Sequence, residues 1–225
     1  MTPAGAVPRG HRPQAQGAAM YARSNTVRGN PEALDRGIAM VQDEIMPALQ
    51  EMPGCVGVSM LVDRETGGAI VTTSWDTEDA MHDSEPSAGP MRDRAAQVFG
   101  GRPEVREWEI AVLHRTRPAP DTACARVTWT RVDPDDQEHA LQEFRTNVLP
   151  RIEEMAGFCS ASLMIDRRTG AGVTAVVFED RAALEHSRLT AGSIRTSAIP
   201  RMRAELVDVA EFEVALAHLR VPETV

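Results

Sequence analysis

The chain has 225 residues, room for one large domain or two of about 100 residues each. A net charge of −9 and a pI near 5.2, with no Lys/Arg cluster interleaved with aromatics, argue against nucleic acid or an anionic membrane surface as a partner. No apolar run approaches the roughly 18 residues of a membrane span. Cys55, Cys124 and Cys159 form no CxxC pair and no metal-ligand spacing, which reads as reduced thiols in a cytoplasmic protein.

Residues 1–20 are rich in Pro, Gly, Ala and Gln and lack the apolar stretch of a secretory signal. They are expected to form a disordered leader, with Met20 available as a downstream translation start. From there the chain repeats itself. Pro31 matches Pro134, an offset of 103 residues (134 − 31), and the same offset pairs Arg23 with Arg126 and Pro47 with Pro150. It also pairs Gly54 with Gly157 and Asp63-Arg64 with Asp166-Arg167. After one inserted residue, Glu107, Glu109, Ala111 and His114 match Glu211, Glu213, Ala215 and His218. The expected organisation is a repeat over 21–115, a Pro-rich linker over 116–124, a second repeat over 125–219, and a short tail over 220–225.

Each repeat reads the same way in chain order. A strand (22–28; 125–131) leads to Asn30 or Asp133 as N-cap and a proline at the helix start. The helix carries an apolar stripe, Leu34, Ile38, Val41, Ile45 and Leu49 in the first repeat. A hairpin follows, turning at DRETGG or DRRTGA, where glycine supplies the positive φ. Its strands are apolar on both faces, so both faces need cover. A second helix (about 77–98; 180–203) and a last strand (104–114; 207–218) close the unit. The order βαββαβ is the ferredoxin-like split motif. The fold class is therefore α+β, with two tandem ferredoxin-like repeats closing an intramolecular, pseudo-dimeric barrel. Such a chain is a monomer able to close its own barrel, with further homodimerisation left open.

Several of these features also carry a resemblance. PGCVGVSML, the strand ending Ser74-Trp75-Asp76, and Glu78-Asp79-Ala80 opening a helix resemble the antibiotic-biosynthesis-monooxygenase (ABM) family of dimeric α+β barrels, as do the closing strands EWEIAVL and EFEVALA. The resemblance implies a cofactor-independent monooxygenase acting on a small apolar or aromatic molecule in a cavity between sheet and helices. It also brings in haem degraders of the same fold, which carry an Asn on the first strand and a Trp and a ligating His on the second helix. Asn25 matches that Asn. The Trp positions hold Ser84 and Ser187, and the His positions hold Asp93 and Thr196. Haem is therefore disfavoured, and no cofactor is expected.

The candidate pocket residues are Asn25, Trp75, His82, Trp129 and His186. The two histidines stand early on the second helices, where either would serve as a base or a ligand if it faced the cavity. Trp129 aligns with the small Thr26 and would make the two half-sites unequal if it projected into a pocket. Glu107 with Glu109, and Glu211 with Glu213, share one face of the closing strand, and they are expected to point to solvent or to a salt-bridged barrel seam. Three readings stay open. The first is the ABM-type oxygenase. The second is a non-catalytic small-molecule-binding or stress-associated barrel. The third is a haem-binding or haem-degrading protein with non-standard ligands, which includes a chlorite-dismutase-like one.

Overall fold

The structure, a computed structural model, describes residues 19–219. The expected tail, and all but the last two residues of the expected leader, lie outside that range. Met20 is not leader: it opens the first strand with its side chain buried in the barrel interior.

The first repeat contains β1 (Met20–Arg28), α1 (Leu34–Met40), α2 (Met46–Gln50), β2 (Cys55–Asp63), β3 (Gly68–Trp75), α3 (Glu78–Asp83), α4 (Glu85–Phe99) and β4 (Pro103–Arg115). The second contains β5 (Cys124–Val132), α5 (Gln137–Glu143), α6 (Leu149–Glu153), β6 (Phe158–Ile165), β7 (Ala171–Phe178), α7 (Arg181–His186), α8 (Arg188–Arg201) and β8 (Ala204–Leu219). The strands form one closed antiparallel barrel in the order β1-β3-β2-β8-β5-β7-β6-β4. Each repeat supplies a four-stranded sheet, β4-β1-β3-β2 and its counterpart β8-β5-β7-β6. The two are joined along β2–β8 and β4–β6.

Closure explains why the strands are apolar on both faces. One face packs into the barrel interior around Ala22, Trp108, Ile110, Val127 and Phe212. The other packs under the helices of its own half, with Trp75 and Phe99 in one cluster and Phe144, Phe178 and Leu184 in the other. A closed barrel also leaves no strand edge to pair with another chain.

The expected helices hold, with local departures that share a cause in both halves. Asn30 and Asp133 cap as anticipated, each accepting a backbone N–H two residues on. Between α1 and α2 the helix widens into a π turn over Val41–Ile45, and between α5 and α6 over Phe144–Val148. Pro47 and Pro150 follow these turns. Neither has an N–H to continue the ordinary ladder, and the wider turn accommodates the ring. The second helix is not continuous as expected: it breaks at Ser84 and at Ser187. At each break the Ser hydroxyl donates to the carbonyl three residues back, Met81 or Leu184, both at 2.7 Å.

The halves are also stitched across the seam. Ala111 and Ala215 sit at β-bulges, each skipped by the ladder to the neighbouring repeat. Their carbonyls accept side-chain bonds from helices of the opposite half, Arg145 to Ala111 at 2.8 Å and Gln42 to Ala215 at 3.2 Å. The hairpin arginines do the same with charge. Arg64 donates to Glu213 at 2.7 Å and Arg167 to Glu109 at 2.6 Å. One glutamate of each expected pair therefore does form a salt-bridged seam.

Candidate functional site

Between each half-sheet and its helices lies a cavity of about 600 Å³, counting the space at its open mouth. Side-chain alternation on the first strand of each repeat aims the wall residues outward. In the first cavity these are Arg23, Asn25 and Val27; in the second they are Arg126, Thr128 and Thr130. The remaining walls are mostly apolar and come from β3 or β7 and from the helices, which supply Met91, Ala95 and Phe99 in one case and Ile194, Ala198 and Met202 in the other.

A buried arginine closes one end of each cavity. Arg23 donates to Glu107 at 2.9 and 3.1 Å, to Ser84 Oγ at 3.1 Å and to the Met81 carbonyl at 3.0 Å. Arg126 repeats the arrangement with Glu211, Ser187 Oγ and the Leu184 carbonyl. The Ser hydroxyl at each helix break thus serves the break and the arginine together. Burial pushes the Glu107 carboxyl up, but hydrogen bonds from Arg23 and His82 outweigh it and the net direction is down. Glu211 shows the same balance, with Arg188 and Arg126 as donors.

The second charged group differs between the halves. In the first, Arg92 on α4 lines the cavity and is clamped by Glu85 at 2.6 and 3.1 Å. That hydrogen bond, ahead of the opposing effect of burial, holds Glu85 below the usual carboxylate range. In the second half Arg195 occupies the matching place on α8 (92 + 103). The residue matching Glu85 is Arg188, which turns away to Glu211 at 2.7 Å.

Two polar atoms in the first cavity are buried without a hydrogen bond. Asn25 Nδ2 donates to the Val71 carbonyl at 3.4 Å, leaving Oδ1 unpaired, and Arg92 Nε lacks a hydrogen-bond partner. The Asp93 carboxylate lies 3.8 Å from that Nε, near enough for attraction but not for a hydrogen bond. Orphaned buried polar atoms are uncommon and call for an explanation.

Of the five residues singled out from sequence, Asn25 alone lines a cavity. Trp75 is fully buried behind the wall, its indole N–H donating to Thr73 Oγ1 at 3.0 Å. It can act on the cavity only through Thr73, which does line it. His82 lies on the outer side of α3, half exposed, with Nε2 3.1 Å from Glu107 Oε2. His186 is exposed at the end of α7. Both histidines miss the cavities because they stand on the solvent side of α3 and α7, while the side that packs on the sheet carries Met81 and Leu184. Trp129 points the opposite way from Thr128 and Thr130, into the barrel, where it meets Phe212 edge-on at 6.4 Å. The half-sites are unequal, but through Asn25 against Thr128 and Glu85 against Arg188. The buried arginines were missed as site residues, although Arg23 and Arg126 match in the repeat. A charged residue at the same repeat position in both first strands, in an otherwise uncharged run, was the available signal.

Among the described residues no His, Cys or Tyr lines either cavity. The walls therefore do not fit a haem held by any of those ligands. Among the described residues no cluster of His, Cys, Asp or Glu is arranged to hold a metal ion, and no helix is long and apolar enough to cross a membrane.

Comparison with known proteins agrees with this architecture. A family model described as antibiotic biosynthesis monooxygenase matches residues 20–89. Two uncharacterized proteins of Mycobacterium tuberculosis are similar over nearly the whole chain. Rv2557 is 45% identical, covering 98% of this chain and 97% of its own. Rv2558 is 48% identical, covering 98% and 92%. Among solved structures, a proposed monooxygenase from Lactobacillus acidophilus superimposes with a TM-score of 0.67 at 9% identity, covering 90% of this chain and 97% of that one. An anthrone oxidase-like protein does so with a TM-score of 0.65 at 13% identity, covering 92% and 95%. At such identities the likeness to these structures is one of fold.

Proposed function

Since the chain belongs to the antibiotic biosynthesis monooxygenase family of α+β barrels, as a fused tandem of two repeats, we propose that its first cavity carries out a cofactor-independent oxygenation of a small apolar or aromatic molecule bearing a hydroxyl or keto group. The observation that supports this reading is the pair of unsatisfied polar atoms, Asn25 Oδ1 and Arg92 Nε, in a cavity with otherwise largely apolar walls. The Asn25 oxygen accepts a substrate O–H. The Arg92 nitrogen donates to a substrate oxygen and stabilises negative charge that develops there. The apolar walls bury the ring and exclude water.

Among the described residues neither cavity wall holds a carboxylate or histidine to act as a base. The substrate must supply its own acidity, as an activated CH₂ next to an aromatic ketone does. Such a CH₂ becomes C=O at the expense of dioxygen: one oxygen atom enters the product, and the other leaves as water with the two hydrogens. The same lack of a base favours a second reading, in which the barrel binds such molecules without turning them over.

Oxygen uptake with anthrone and simple naphthols, measured with an oxygen electrode and no added metal, tests the proposal. Saturable uptake is expected, with kcat/KM lowered about two- to tenfold by Asn25→Ala, the range for one neutral hydrogen bond. Ligand binding without oxygen uptake would leave the non-catalytic barrel.

A further inference from the structure

The two cavities share a plan and differ in charge. Around the first, Arg23 and Arg92 pair with Glu85 and Glu107, and Asp93 lies 3.8 Å from Arg92. Around the second, Arg126 and Arg188 both pair with Glu211, and Arg195 has no ion pair of its own among the described residues. Arg195 makes no ion pair or hydrogen bond among the described residues, though its side chain is half-buried and lines the cavity. The reversal at one aligned position, Glu85 to Arg188, removes the carboxylate that would have clamped it.

We infer that the second cavity binds a small apolar carboxylate, a single ring, a fused pair or a short chain, whose carboxyl group pairs with Arg195 while its body lies against Phe144, Ile194 and Met202. A guanidinium partly withdrawn from water, with Glu211 as its nearest opposing charge but no direct ion pair, gains from an anion that comes to it. Its planar fork of N–H donors suits a carboxylate, which it can take with two parallel hydrogen bonds. Thr128, Thr130 and Thr174 place hydroxyls in the same wall. Burial and the nearby Arg126 charge both push the Arg195 pKa down, which is the electrostatic stress an incoming anion relieves. Arg126 itself is spoken for, since its donors already meet Glu211, Ser187 and Leu184. One uncompensated cation inside the cavity argues for a singly charged ligand. Small size follows because the volume of about 600 Å³ includes the open mouth. This assignment does not rest on oxygenation in the first cavity.

Calorimetric titration of the full chain with 1-naphthoate, and with its neutral isostere 1-naphthamide, tests it. One equivalent of the acid is expected to bind at least about tenfold more tightly than the amide, the worth of a charge-assisted pair. Arg195→Gln should abolish that preference. Arg188→Glu should do the same without touching the ligand, because it restores to Arg195 the kind of partner that Arg92 has. This second variant answers the question even if the first folds poorly. Equal binding of acid and amide, no saturable binding of the acid, or an undiminished preference in Arg188→Glu would overturn the inference. Naphthoate binding is read as heat and oxygenation as oxygen uptake, so failure of the oxygenase reading and failure of this one are told apart.

Discussion

Replacing Arg23 with methionine tests how much the buried arginine contributes to the fold. The Arg23 side chain is 4% exposed and is the common partner of Glu107, Glu85, Ser84 and the Met81 carbonyl. Removing one member of a fully buried, hydrogen-bonded pair costs about 3–5 kcal/mol. Here that figure must be discounted. Glu107 and Glu85 are 41% and 44% exposed. Each also keeps a second partner, His82 for the first and Arg92 for the second. Ser84 keeps its own bond to Met81. We expect a loss of about 2 kcal/mol, since solvent screening and the surviving partners take up part of the penalty. For a chain of this size that is about 4–8 °C in Tm. Urea unfolding followed by circular dichroism would measure it.

The pH dependence gives a sharper check. Glu107 and Glu85 both titrate in the folded protein below the ordinary carboxylate value of 4.5. A carboxyl whose folded pKa is depressed contributes stability that is present above its unfolded value and lost as pH falls through the folded one. The stability gap between the parent and Arg23→Met should therefore be full at pH 7 and shrink below about pH 4.5. A loss under about 0.5 kcal/mol, the size of an exposed pair, or a gap independent of pH would refute the reasoning.

Gly37 on α1 faces Phe99, and a Cβ added there would fall 2.0 Å from the ring. Gly37→Ala should destabilise by about 1–3 kcal/mol through overpacking, read as a lower urea midpoint at an unchanged m-value. Burial raises the pKa of all three thiols. The native protein should therefore react slowly with a thiol reagent at pH 8, with Cys124 and Cys159 the slowest because both are buried. All three should react at once in guanidinium.

The barrel was legible because two independent signals agreed. The offset of 103 residues held from Arg23 to Gly192, and the hairpin strands were apolar on both faces, which one open sheet cannot satisfy. The cavity residues were less legible because their facing depends on details that the repeat does not display. Parity along β5 decides that Thr128 lines a cavity and Trp129 fills the barrel, and only the buried Arg126 in the same run marks which parity is outward. Facing along α3 and α7, where Met81 and Leu184 take the sheet side, decides that His82 and His186 fall outside. Arg92 and Glu85 sit seven residues apart, two turns along one helix face, so their pairing could have been proposed from sequence. Its absence in the second repeat gained meaning only once Arg195 was seen to face a cavity.

Fusion of the two halves has a genetic consequence. In a barrel made from two copies of one chain, every codon is read into both half-sites, and a change that tunes one pocket must be tolerated by the other. Here each pocket has its own codons. The switch from Glu85 to Arg188 could be adopted on one side alone, so a single polypeptide can offer two ligand preferences from one architecture.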